Sequence, residues 1–355
     1  MNGAHQPDYI LIACVTILIL FGLVMLGSAS ANLGETKFGD TYYYLKHQIY
    51  YGLLPGIIGA IVASKIYYGK YERWAPFGLI VAIGLLLLLF SPLGVTVGGA
   101  RRWLSIGELT FQPIEFARVG IIVYLAAWLA SNKERARSWQ KGLIPFISIL
   151  GVVGAILFKQ SSTSMFAIIL ATSCMMYFVS GARMRYLFIT AAIGIITIIV
   201  ISYATPYRWS RIVAYINPAA NQETSGYHIN QALIAIGSGG WNGVGLGKST
   251  TKLRYLPEPI GDSIFAVIAE ELGFIGAMSV VIIFALIIAR IMLLAAKTNN
   301  IFGQLLLVGF GSMIGIQAFV NIGAISGLVP LTGMPLPFIG YGGTALAVAM
   351  TISGM

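Results

Sequence analysis

The sequence predicts an all-α polytopic integral membrane protein: about ten transmembrane helices in a single domain over 1–355, with a large extracytoplasmic loop at 204–261 between helices 7 and 8. Three observations carry this. The 355 residues are 57% hydrophobic and 10% charged, with a mean hydropathy of +0.84, too apolar for a water-soluble domain. Apolar runs of roughly 17 to 25 residues recur, each able to cross the hydrocarbon core as a helix. No segment alternates apolar and polar residues as an outer-membrane barrel strand does.

Read between charged or Gly/Pro boundaries, the runs give spans near 9–28, 48–64, 74–91, 114–131, 143–158, 164–181, 186–203, 262–289, 302–322 and 342–355. Ala29-Ser30-Ala31 resembles a signal-peptidase site, but no Lys or Arg precedes the first run and further spans follow it, so it reads as a retained helix. The last span stops too short for a full crossing plus tail, as in a truncated chain. Cys14 and Cys174 fall within apolar runs, predicting free, buried thiols.

Ten spans place alternate loops on opposite sides. One set of short loops carries Lys65, Lys70, Arg73, Lys133, Arg135, Arg137, Lys141, Arg183, Arg185, Arg290 and Lys297; the other carries Lys37, Lys46, Arg101, Arg102 and Lys159. The richer set belongs in the cytoplasm. That distribution accounts for the net charge of +10 through membrane orientation and anionic lipid, with no need for nucleic acid. The 204–261 loop then lies outside, where no nucleotide-activated donor is present, so a substrate arrives already activated, on a lipid.

The outer loop before helix 4 holds Arg101-Arg102-Trp103 and then Gln112-Pro113 with Glu115 and Arg118. The triplet reads either as an interfacial anchor or as a diphosphate clamp. Glu115 and Arg118, three apart behind a proline suited to a first helical turn, form either an ion pair that orients the helix or a functional pair. In the long loop, Gly237-Ser238-Gly239-Gly240 and Gly243, Gly245 and Gly247 precede Lys248-Ser249. Asn242 stands where a phosphate-binding P-loop needs glycine, leaving backbone that approaches a ligand or packed helices, or a plain tight re-entrant loop.

Of only three aspartates, Asp262 stands where this loop becomes an apolar helix. It reads as a helix N-cap or as a working carboxylate. Glu270 lies roughly 12 Å further along, too far for a two-carboxylate glycosidase arrangement, so a scheme with one carboxylate fits better. Asn321 to Gly343 is rich in Gly and Pro, broken backbone expected to line one cavity with the Asp262 loop.

Together these stretches resemble the SEDS family of peptidoglycan polymerases, the RodA, FtsW and SpoVE type. The resemblance rests on Gly99-Ala100-Arg101-Arg102-Trp103-Leu104, Gln112-Pro113 with Glu115-Phe116-Ala117, Ile236 to Gly240, Leu256-Pro257-Glu258 with Asp262, Glu270 to Gly273, and Leu336-Pro337-Phe338 with Tyr341-Gly342-Gly343. Gly245 to Ser249 with Lys252 look more like the cell-division FtsW branch. The resemblance implies a multi-pass protein of the bacterial cytoplasmic membrane, its site facing outside. It implies a substrate, lipid II (a disaccharide-peptide on undecaprenyl diphosphate), polymerised into β-1,4-linked glycan with inversion, and a partner, a class B penicillin-binding protein. Asp262 is the implied general base. Arg101, Arg102, Trp103, Gln112, Glu115, Arg118, Lys248, Lys252, Glu258 and Tyr341 are the implied substrate contacts. No carboxylate or His/Cys cluster predicts a structural metal, while a divalent cation (Mg2+ or Mn2+) at the leaving group stays open. The rival reading is a lipid II flippase that performs no glycosyl transfer.

Three positions depart from the family pattern. Lys159 to Ser164 replace Pro-Asp-x-Gly-Thr, Gly340 stands for the serine before Tyr-Gly-Gly, and Ile260-Gly261-Asp262-Ser263 replaces His-Thr-Asp-Phe.

Overall fold

The computed structural model describes residues 7–355 except 98, 108, 133 and 218–224; Lys133 and part of the long loop therefore lie outside the described residues. Among those described, seven helical segments are long and apolar enough to cross a membrane. They comprise α1 (Tyr9–Phe38), α4 (Tyr68–Leu88), α5 (Pro113–Ala130), α6 (Ile144–Lys159) with the π-helical turn before it, α8 (Met184–Tyr203), α12 (Ile264–Lys297) and α13 (Ile301–Ile325). Shorter segments complete the set: α2 (Tyr43–Gln48) running through a π-helical turn into α3 (Leu54–Lys65), α7 (Thr163–Val179) and α14 (Gly343–Gly354). The chain is a polytopic helical membrane protein with the segments in the expected order.

α1 runs ten residues beyond the apolar run that ends at Ser28, because nothing from Ala29 to Phe38 breaks a helix. It stops at Gly39, whose φ of 66° puts it in the left-handed region and whose N–H donates to the Glu35 carbonyl. Both π-helical turns precede a proline, Pro55 and Pro145, which lacks an N–H and crowds the carbonyl four residues back; the wider turn absorbs that mismatch. α3 and the π-helical turn before it cross α14 closely at Gly56 and Gly52, where an added Cβ would press on Met350 and Gly343. The thiols of Cys14 and Cys174 are free as expected but only half-buried.

α13 is the spine. Its first half joins the apolar core around α5 and α7, and its second half joins the core around α1 and α12. Two connections between the helices carry structure of their own. The loop before α5 is a three-stranded antiparallel sheet, β1 (Gly94–Val97), β2 (Ala100–Ile106) and β3 (Leu109–Phe111), with the Arg-Arg-Trp triplet on its central strand. The long loop likewise contains helices α9 (Pro206–Ile216), α10 (Ser225–Ser238) and α11 (Thr251–Arg254).

α12 is broken at Gly273, where φ is +67° and ψ is −165°. The glycine-rich segment fills the break. Val244 and Gly245 donate N–H groups to the Glu270 and Glu271 carbonyls, and Phe274 and Ile275 donate to those of Gly240 and Trp241. Backbone groups orphaned inside an apolar layer are thereby paired. A Cβ at Gly239, Gly243 or Gly273 would strike backbone, so packing on a helix, not ligand approach, explains those glycines.

Candidate active site

Ser263, not Asp262, occupies the N-cap of α12, which corrects the capping alternative and leaves the Asp262 carboxylate outside the helix and outside the span beginning at Ile264. The Asp262 side chain is 13% exposed. Burial first, and then the negative charge of Glu258, raise its pKa from 3.8 to about 7, while Arg211 and the Ser263 hydroxyl oppose the rise. A carboxylate in that range is a competent proton acceptor near neutral pH.

Three elements close around it. Asn321, on α13, donates its amide to the carbonyls of Asp262 (2.9 Å) and Met334 (2.6 Å), tying the loop to the broken segment after α13. The Tyr341 N–H donates to the Ile260 carbonyl at 2.8 Å, making a second tie. Gly333, at φ +67°, keeps a space open: a Cβ there would lie 3.6 Å from the Arg211 guanidinium and 3.8 Å from Asp262 Oδ2. From α10, His228 approaches Asp262 Oδ1 to 3.9 Å and is held neutral, its pKa pushed down to about 4 by burial and by Arg211.

Arg211 belongs to a cationic group. On α9 it donates to the Tyr207 hydroxyl at 2.7 Å and the Leu331 carbonyl at 3.3 Å. Arg208, one turn away, donates to the Phe158 carbonyl at 2.9 Å. Arg102 reaches the same place from β2 and bonds the Ser161 carbonyl, its Nε buried without a partner. Burial and the charges of Arg211 and Arg208 lower the pKa of Arg102. Phe158 also lines an apolar groove of about 300 Å³ between α6, α7 and α8, with Gly151, Phe166, Leu170 and Ile201. Guanidinium groups thus stand at the head of an oily channel, the layout that suits a phosphate joined to a hydrocarbon chain.

The other sequence-nominated residues divide. Glu258 is exposed beside Asp262, close enough to act on its charge. Tyr341 bonds His47 through its hydroxyl (3.0 Å) and packs edge-on to Tyr44. Trp103 is half-buried on β2, and Lys248 is exposed on the glycine-rich segment. The Gln112 N–H donates to the Thr344 hydroxyl at 3.4 Å. Glu115 and Arg118 are buried and paired with each other. Arg118 also donates to Gln317 Oε1 (2.6 Å), whose amide holds the Pro335 carbonyl (3.0 Å). The pair therefore braces the broken segment from within.

Two residues have their donors engaged within the protein. Arg101 is turned onto the Ser91 and Gly94 carbonyls (2.6 and 3.2 Å), shaping the sheet. Lys252 is buried against Glu271 and Ser28, its charge already matched, so it is no free phosphate ligand. Glu270 is spent in the same way on Ser249, Thr250 and Thr251.

Sequence reading missed Arg208, Arg211 and His228. The cue for the first two was available. Pro206 followed by charges at 208 and 211 repeats the pattern that drew attention to Pro113, Glu115 and Arg118.

Comparison with known proteins agrees with this architecture. The sequence profile described as "Cell cycle protein" (FtsW, RodA, SpoVE) matches residues 8–355. The chain is 36% identical over 352 residues to the probable peptidoglycan glycosyltransferase FtsW of Saccharophagus degradans, covering 98% of this chain and 91% of that one. It is 34% identical over 351 residues to stage V sporulation protein E of Bacillus subtilis, with 99% and 96% covered. Among solved structures, one described as showing structural coordination of polymerization and crosslinking by a peptidoglycan synthase complex superposes with a TM-score of 0.81 at 25% identity, covering 99% of this chain and 96% of that one. The rod shape determining protein RodA of Thermus thermophilus superposes at 0.73 with 26% identity and the same coverage. With a profile spanning nearly every residue and a shared helical layout, the chain belongs to the FtsW/RodA/SpoVE family, the SEDS proteins.

Proposed function

We propose that the protein is a peptidoglycan glycosyltransferase that polymerises lipid II into β-1,4-linked glycan at the outer face of the bacterial cytoplasmic membrane. The observation that carries this is one largely buried carboxylate, Asp262, facing Arg211 across the space left by Gly333, with Arg208 and Arg102 leading into an apolar groove. Asp262 takes the proton from the acceptor sugar's hydroxyl as that oxygen bonds to the donor's anomeric carbon. The bond from that carbon to the diphosphate breaks, its electron pair leaves with the lipid diphosphate, and the configuration inverts. Arg211, Arg208 and Arg102 receive the growing negative charge of the leaving group, and preorganised donors of this kind contribute most when shielded from water. The groove takes the first part of the hydrocarbon tail.

Among the described residues no three His, Cys, Asp or Glu side chains converge. Mg2+ is commonly held by one or two carboxylates together with a substrate's phosphates, so Asp262 and Glu258 are compatible with a divalent ion that arrives with the diphosphate. The surplus of basic residues on the opposite loops supports the outward orientation. A class B penicillin-binding protein is the proposed partner, supported by the likeness to a synthase complex that joins polymerisation to crosslinking.

Purified protein incubated with labelled lipid II is expected to yield glycan ladders on a gel, and Asp262→Asn to yield none. Lipid II translocation across vesicles without chain growth would establish the flippase reading in its place.

A further inference from the structure

One polar contact beside Asp262 has no part in the reaction as written above. His228 Nε2 lies 2.6 Å from Ser263 Oγ, which lies 2.7 Å from the Pro257 carbonyl oxygen and 3.4 Å from Asp262 Oδ1. A serine hydroxyl has one proton to give. If it went to His228, two bare oxygens would face each other at 2.7 Å. The network is satisfied in one way: the hydroxyl donates to Pro257, and His228 carries its proton on Nε2 and donates to Ser263. The 3.4 Å approach to Asp262 is then the weak one.

We propose that His228, acting through Ser263, is a positioning residue for the Asp262 carboxylate: its Nε2–H commits the Ser263 hydroxyl to the Pro257 carbonyl and leaves Asp262 Oδ1 free to take the acceptor's proton. The inference rests on the general-base reading of Asp262. A charged carboxylate attracts a hydroxyl more strongly than a neutral carbonyl does. Without the imidazole holding Oγ, the serine rotates onto Asp262, stabilises its ionised form and makes it a weaker base. The titratable and charged groups facing Asp262 are His228 from α10, Arg211 from α9 and Glu258 from the preceding turn. His228 is neutral throughout the working range, so the acidic limb of the rate belongs to the carboxylate.

The test is the pH profile of lipid II polymerisation by the purified full chain, with thermal melting in detergent as the folding control. His228→Leu is expected to move the acidic limb about one pH unit lower and to reduce the plateau rate about three- to tenfold. His228→Gln, whose amide can donate to Ser263 from a similar place, restores both. In a Ser263→Ala background the additional His228→Leu change leaves the limb unmoved, because no hydroxyl is left to redirect; this comparison holds even where His228→Leu costs stability. An unmoved limb in His228→Leu, with Asp262→Asn inactive, overturns the relay alone. Polymerisation by Asp262→Asn overturns the base reading and the relay with it.

Discussion

Asp262 is held in a state that costs the fold something. Its pKa in the folded protein is about 7 against an ordinary 3.8, so the folded chain binds the proton more tightly than the unfolded chain does. Stability therefore falls as pH rises from about 3.8 through 7 and stays lower above that. Asp262→Asn, which removes the charge, is expected to abolish polymerisation while holding or raising the melting temperature at pH 8; a large fall would mark a structural carboxylate. Arg211 has the opposite influence on the same group, favouring its charged form. Arg211→Gln should move the acidic limb of the rate to higher pH and lower kcat, both read from one profile. Asp262 was legible in the sequence because a lone acid at a loop-to-helix boundary is conspicuous. Arg211 carried a cue in its spacing from Pro206, but its relation to Asp262, like that of His228, arises only when α9 and α10 fold over it from more than thirty residues away in the chain.

The long outer segment is a set of elements pinned to α12 through buried charges. Lys252 and Glu271 pair on the inner side of α11, with Ser28 of α1 completing the contact. Lys252→Met leaves Glu271 buried and unpaired, a loss of about 3–5 kcal/mol. Lys252→Met with Glu271→Gln should recover much of it, and a thermal or chemical melt of the two variants checks the coupling. The spans could be read because runs of Leu, Ile and Val in lipid admit one solution, the helix. The three-stranded sheet could not. Gly94 to Phe111 is short and mixed in polarity, and its pairing depends on Arg101 capturing the Ser91 and Gly94 carbonyls, a contact between residues seven and ten apart that no periodicity announces. The helices of the long loop were passed over for a related reason: beside runs of twenty apolar residues, Pro206–Ile216 looks like connecting chain, although its tyrosines and arginines recur at helical spacing.

On the proposed function, the assembled protein joins an aqueous half-site to a lipid half-site. The apolar groove between α6, α7 and α8 leads to the Phe158 carbonyl that Arg208 holds, so head and tail of an amphiphile have adjoining places. Gly151 lines the groove with no atom within 4 Å of where its Cβ would lie, which makes it a site for filling the channel without a clash. Gly151→Phe is expected to raise KM for lipid II with its full tail several-fold while leaving a short-chain analogue unaffected; equal effects on both would place the tail elsewhere. None of this joining was legible in the linear chain, because the groove is lined by ordinary apolar residues whose only distinction is the gap between them.

The interruption at Gly273 has a mechanical consequence. α12 has 34 residues, about 50 Å if straight, far more than a bilayer's apolar thickness. The glycine-rich segment braces both pieces: Val244 and Gly245 bond the short upper one, and Gly240 and Trp241 accept from Phe274 and Ile275 of the long lower one. When thicker or thinner bilayers tilt that lower rod, the brace moves with it as one piece, and the carboxylate proposed as proton acceptor keeps its surroundings. Turnover in vesicles of differing acyl length should accordingly vary little.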